Sequence, residues 1–559
     1  MIKTQEDLRL EELFKREWED SFFKHPEYAT FMGNYNFNDR LSDLSFEEIE
    51  KNYNHEKNIL TELKTFNINE LNEINKISLD LYIEQTENHI KSHDYKEYLM
   101  PINQMHGIHT FFARLISMTP FKQEKDYIDY LSRLKAFPKY IDQTIYLMKD
   151  GIKNALSVPK IAMQDVPNQI SRQLIDDITK SSFYEPLNKE IVSESLKKEI
   201  HKAIEENVYK PFRKLEKYIK DEYIPNSRES IGLSELPDGE NYYNFKLKML
   251  TTTNLTSKEI HDIGNKEVER IFSEIKDIMK KTGFDDYNKF LEYLRTNPDF
   301  YFKSEDELLM TYRDLCKRID KELPPFFKTL PRLPYGVEKI PDYQAPSSPT
   351  AYYMASDMNM TRAGIYYANT YQLETRPKYE IEALSLHEAV PGHHLQLSLA
   401  LELNDLPEFR KSARFTGYIE GWGLYSEKLG QEMGFYKDPF YKFGQLSFEI
   451  WRACRLVIDT GIHAFGWTRD KAIEYLQYYT GKSYDACKVE VDRYIVMPAQ
   501  ATTYKIGEIK ILELRKRMEI LKGKQFDIRE FHDLILKNGA LPLSILEKNF
   551  DKSINNITE

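Results

Sequence analysis

Four side chains of metal-binding type, His387, Glu388, His393 and His394, fall within eight positions of one another in Ile381–Leu403, IEALSLHEAVPGHHLQLSLALEL. The flanks of this stretch are apolar enough for a buried helix. Burying so many ionisable groups is costly unless they are paired, hydrogen-bonded or bound to a metal. An adjacent His-Glu with another His one or two turns on is the layout of zinc hydrolases. There the imidazoles hold the ion and the Glu works on its water.

The spacing needs an irregular backbone. In HExxH the two ligands stand at i and i+4, but here i+4 from His387 is Pro391. His393 and His394, at i+6 and i+7, would lie roughly 9–10 Å further along a regular helix, at about 1.5 Å per residue. Pro391 lacks the N–H that would reach the His387 carbonyl. Gly392 accepts backbone angles that other residues avoid. A bulge or kink at this Pro-Gly is therefore expected to widen the turn and bring the second imidazole beside the first. Spacing alone leaves open whether that is His393 or His394.

A third ligand is sought in the next segment, EFRKSARFTGYIEGWGLYSEKLG. Glu420 and Glu427 are two turns apart and share a helix face. Catalytic zinc sites take three protein ligands and leave a position for water. Glu420, in apolar surroundings and flanked by Gly421, is the better candidate. Glu427 suits an outer role, orienting a ligand imidazole. Further on, FEIWRACRLVIDTGIHAFGWT carries Arg452, Arg455, Asp459 and His463 at helical intervals, as a solvated stripe or as the polar wall of a substrate site. Arg493, Tyr494, Tyr504 and Lys505 follow; a tyrosine hydroxyl near the metal could hydrogen-bond an oxyanion. Arg493, Tyr504 and His463 are taken as candidate substrate contacts.

The elements that must position these residues are mostly helices. Up to Lys220 apolar residues recur at i, i+3 and i+4, with breaks at Asn34–Asn38, Pro101, Pro120–Phe121, Pro159 and Pro186. The helical pattern lapses over Ile224–Tyr243, so the predicted organisation is a helical lobe at 1–230 and a catalytic lobe at 231–559. Thr256 and Glu259 have the spacing of a capping box. Clustered prolines between Leu323 and Pro349 predict extended or polyproline backbone. TAYYM at 350–354 and AGIYYANT at 363–370 read as a small hairpin or sheet, whose edge could pair with a peptide. A net charge of −11 argues against a nucleic-acid surface. No apolar run reaches the ~18–20 residues of a membrane span. The charged N-terminus lacks the apolar core of a signal peptide. Three scattered cysteines give neither a disulfide framework nor a thiolate site. The cytoplasm is the expected compartment.

HEAVPGHHLQ, YIEGWGLYSE, RLVIDTGIHAFGW and RYIVMPAQATTYKIG, preceded by IGLSELPDGENYY and TTTNLTSKEIHDIG, together resemble the domain-of-unknown-function 885 family, DUF885. That family resembles the helical zinc peptidases: angiotensin-converting enzyme, thimet-type oligopeptidases and Taq-type carboxypeptidases. The resemblance implies a mainly α, zincin-like clamshell with a small β-sheet beside the zinc helix. It implies Zn²⁺ on His387, His393 and Glu420, with Glu388 as the catalytic acid-base and Tyr494, beside Arg493, at the oxyanion. The expected activity is zinc-dependent hydrolysis of short peptides. A non-catalytic peptide binder on the same fold, or an amidohydrolase acting on a non-peptide amide, are the competing classes.

Overall fold

The structure is a computed structural model that describes residues 3–188, 191–342, 344–357 and 360–558, with backbone only at 347 and 556–558. It is mainly helical with one three-stranded sheet, and divides into two compact units, Met1–Tyr242 and Tyr243–Glu559. The division falls inside the helix Gly239–Thr251.

In the first unit α1 (Gln5–Lys24) starts from a capping box. Thr4 Oγ1 accepts from the Asp7 amide, and the Asp7 carboxylate accepts from the Thr4 amide. Ser45 and Asn72 cap α2 (Phe46–Leu63) and α3 (Glu73–Asp94), which pack on each other. The longest helix, α4 (Glu124–Lys153), buries Tyr127, Tyr130, Leu134, Phe137 and Ile141, the i, i+3, i+4 stripe of a core-facing helix.

The first helix wholly within the second unit is α5 (Ser257–Lys281). Its Thr256/Glu259 box is closed in both directions, at 3.2 Å and 2.8 Å. The sheet has β1 (Tyr335–Lys339), β2 (Ala351–Met354) and β3 (Gly364–Ala368) in the order β1-β3-β2. β2 and β3 are antiparallel, as the hairpin pattern predicts; the turn between them includes Met358 and Asn359, which lie outside the described residues. β1 is an addition the proline density hides. YGVEK falls between Pro334 and Pro341, so its own amides are free to form a ladder parallel to β3.

Six further helices build the site: α6 (Ile381–Glu388), α7 (His393–Leu401), α8 (Thr416–Leu429), α9 (Pro439–Phe465), α10 (Tyr484–Val496) and α11 (Thr503–Lys522). α5 packs along α9, α8 along α11, and β2 touches α6. Nearly the whole of α9 past Lys442 is buried, including its polar positions. Arg452, Arg455, Asp459 and His463 therefore do not form a solvated stripe.

Candidate metal centre

The backbone solves the spacing problem by a clean break, where the sequence predicts a widened turn. α6 ends at Glu388 and α7 begins at His393. Ala389 (ψ −117°) and Gly392 (ψ −128°) both leave helical geometry. Gly392 lies so close to the end of α6 that an added Cβ would stand 1.9 Å from the His387 carbonyl oxygen. The chain resumes as a helix with the His394 amide donating to the Ala389 carbonyl.

This fold-back sets His387 and His393 with ring centroids 4.6 Å apart at 85°. Glu420 on α8 completes the group: its Oε2 lies 3.5 Å from His387 Nε2 and 3.7 Å from His393 Nε2. One donor atom from each of the three residues lies within 4.8 Å of the others. A tetrahedral zinc with bonds near 2.0–2.1 Å separates its donors by about 3.4 Å, so these residues fit a two-His, one-carboxylate ion. Gly423 makes the hollow for the first imidazole; a Cβ there would sit 2.6 Å from His387 Cε1.

The outer contacts differ between the two imidazoles. His387 Nδ1 meets Glu427 Oε1 at 2.8 Å, which leaves Nε2 facing Glu420 and His393. Behind Glu427 stands the Arg452 guanidinium, 3.8 Å away. His393 Nδ1 is buried without a hydrogen-bond partner among the described residues. Burial lowers the His387 pKa, but Glu420 and Glu427 on its two sides raise it further, to about 10. Burial pushes His393 down. Burial raises Glu420, but the charges of His393 and His387 outweigh it and carry its carboxyl down to about 2. Glu388, 8 % exposed, ends α6 next to His387.

His394 does not join the group. Its Nδ1 is shared by Tyr353 Oη at 2.8 Å and Ser398 Oγ at 3.2 Å, and its ring lies against Tyr335. Burial pulls its pKa down to about 4.

The other sequence candidates gather around Tyr494: Arg455 and His463 hydrogen-bond to it, Arg493 lies over its ring at 4.9 Å, and Arg455 links it to Tyr504. Tyr494 is fully buried, and its hydroxyl accepts from Trp451 Nε1 at 3.3 Å and Arg455 Nε at 3.2 Å. His463 is also fully buried and donates from Nε2 to the Tyr494 carbonyl at 2.9 Å, which leaves it no surface to offer a substrate. Arg493 donates to Gln500 Oε1 and Glu490 Oε2. Tyr504 is the half-buried tyrosine whose hydroxyl feels Glu420; burial and then that charge raise its pKa, while Arg455 stacks on its ring at 4.5 Å.

Two features escape sequence reasoning. The Trp422 indole N–H donates to the Pro391 carbonyl at 2.8 Å, and Arg452 backs Glu427. A signal for the first exists, since a buried indole normally finds an acceptor, but nothing in the spacing says which one.

Comparison with known proteins places the chain. The putative lipoprotein from Colwellia psychrerythraea is 27% identical, with a TM-score of 0.93 over 99% of this chain and 100% of that one. A putative lipoprotein of unknown function from Shewanella oneidensis, 18% identical, superposes with a TM-score of 0.73 over 96% of this chain and 98% of the other, and so shares the fold. No curated protein matches the sequence significantly. The family described as "Bacterial protein of unknown function (DUF885)" matches residues 26–550, nearly the full length, and the chain belongs to it.

Proposed function

We propose that the chain is a zinc-dependent peptidase acting on short peptides, with His387, His393 and Glu420 holding the ion. The observation that carries this reading is the convergence of these three donors within 4.8 Å, with Glu388 next in sequence to the first of them. The resemblance to helical zinc peptidases, with their clamshell arrangement, points the same way.

Zinc, when bound, supplies a water of lowered pKa and a positive charge for a carbonyl oxygen. Glu388 is assigned the proton transfer: its carboxylate takes a proton from the attacking water and returns it to the leaving amine. Glu427 orients His387 through Nδ1, the usual task of a carboxylate behind a ligand imidazole. For the oxyanion the half-buried Tyr504 is a better donor than Tyr494, which is fully buried. β2 is an edge strand against α6, so an extended peptide could add to it as a further strand. Both structural relatives are named as lipoproteins, so a place in the cell envelope competes with the cytoplasm. No helix among the described residues is long and apolar enough to cross a membrane.

The test is Glu388→Gln. The variant should retain stoichiometric zinc and lose at least ~100-fold in hydrolysis of a mixed peptide library, the range of a missing general base. Full turnover by the variant removes Glu388 from the mechanism.

A further inference from the structure

We infer that Trp422 is the positioning residue that seats His393: its indole N–H fixes the Pro391 carbonyl and so holds the second imidazole at the donor group. This rests on the metal reading above and adds a residue to it.

The two imidazoles are supported in different ways. His387 extends from a regular helix, and its ring is oriented by Glu427 through a 2.8 Å hydrogen bond. His393 opens a helix after a break, and its Nδ1 has no hydrogen-bond partner among the described residues to set the ring. Its position must therefore come from the backbone that precedes it. That backbone is Pro391-Gly392, and the Trp422 Nε1–Pro391 bond at 2.8 Å ties it across to α8. Glu420 lies two residues before Trp422 on α8, and Gly423, which makes room for His387, is the next residue. A single turn of α8 thus offers the third donor, the hollow for the first imidazole and the tether for the second. The indole ring itself is held independently, between Tyr425, His532 and Phe327. Losing the N–H alone should leave the ring packed and let the Pro-Gly segment move.

The experiment measures zinc affinity of the full-length, metal-stripped protein by competition with a chromophoric chelator. It compares wild type, Trp422→Phe, a variant with the isosteric benzothienyl amino acid at 422, and Tyr418→Phe. Tyr418 is a control on the same helix: its hydroxyl makes a buried bond of similar length, 2.9 Å, to the Ile535 carbonyl instead. The expected result is at least a tenfold loss of zinc affinity in both Trp422 variants, the range for a residue acting behind a metal ligand. Tyr418→Phe should stay within twofold of wild type. The cobalt(II) spectrum of the isostere should shift as well, since one ligand is less firmly placed. If Trp422→Phe fails to fold, the isostere decides. Wild-type affinity in the isostere, or an equal loss in Tyr418→Phe, overturns the role given to Trp422 while the metal centre stands. Absence of zinc binding by the wild type overturns both.

Discussion

His387 is held between two carboxylates, Glu420 at 3.5 Å from Nε2 and Glu427 at 2.8 Å from Nδ1. In the metal-free chain this pair outweighs the burial that opposes protonation, and the imidazole keeps its proton up to about pH 10. Because this value is above the unfolded one of about 6.5, the group's contribution to metal-free stability is complete below pH 6.5. It is lost as pH rises through 10. Zinc must displace the same proton. Its apparent affinity should therefore climb about tenfold per pH unit between pH 7 and 9, measured by chelator competition. A pH-independent affinity over that range contradicts the placement of His387. At this scale the sequence was informative about residue types and poor about partners. The His-Glu pair and Glu420 could be found because their types are rare in apolar frames. The fate of His394 could not, since it depends on Tyr353 and Ser398, 41 and 4 positions away.

Among the elements, α8 and α11 approach so closely that a Cβ on Gly507 would stand 1.8 Å from the Gly417 carbonyl. Beside this contact α11 carries a buried lysine. Lys505 reaches Glu449 on α9 at 2.8 Å, Glu267 on α5 at 3.1 Å and its own neighbour Glu508 at 2.7 Å. Arg270 on α5 also pairs with Glu449. Three helices are thus joined by charges, of which Lys505, Glu449 and Glu508 have little access to water. Replacing Lys505 by Met leaves Glu449 and Glu508 short of a counter-charge and should cost about 3–5 kcal/mol, read from denaturant unfolding. A change below about 1 kcal/mol would show that Arg270 and Lys428 suffice. Lys505 was visible in the sequence only as a member of a polar cluster. Its burial follows from which helices meet, which periodicity within one helix does not encode. The Pro-Gly break is a similar case. Pro391 and Gly392 announce an irregularity, but the contact that makes it a full stop, between Gly392 and the His387 carbonyl, is a matter of tertiary packing. β1 was missed for the opposite reason, because flanking prolines masked five residues that pair normally.

Across the whole molecule, the helical class, the small sheet and the family were readable from hydrophobic periodicity and from motifs in order. Among the described residues, one competitor for a metal emerges only in three dimensions. Glu17, Asp20 and His55 of the first unit also bring three possible donors together. Their charges are already met: Arg16 pairs with Glu17 at 3.0 Å, Lys24 with Asp20 at 2.5 Å, and His55 with Glu17 at 2.7 Å. In the second group no lysine or arginine contacts the Glu420 carboxylate within 4 Å among the described residues; only the two imidazoles do. The chain should therefore take up one zinc ion, in its second unit. The most direct measurement is anomalous scattering at the zinc edge from crystals of the protein supplied with one equivalent of the metal. One peak about 2.0–2.2 Å from His387 Nε2, His393 Nε2 and the Glu420 carboxylate is the predicted result. An empty map there, or a sole peak between Glu17, Asp20 and His55, would contradict it.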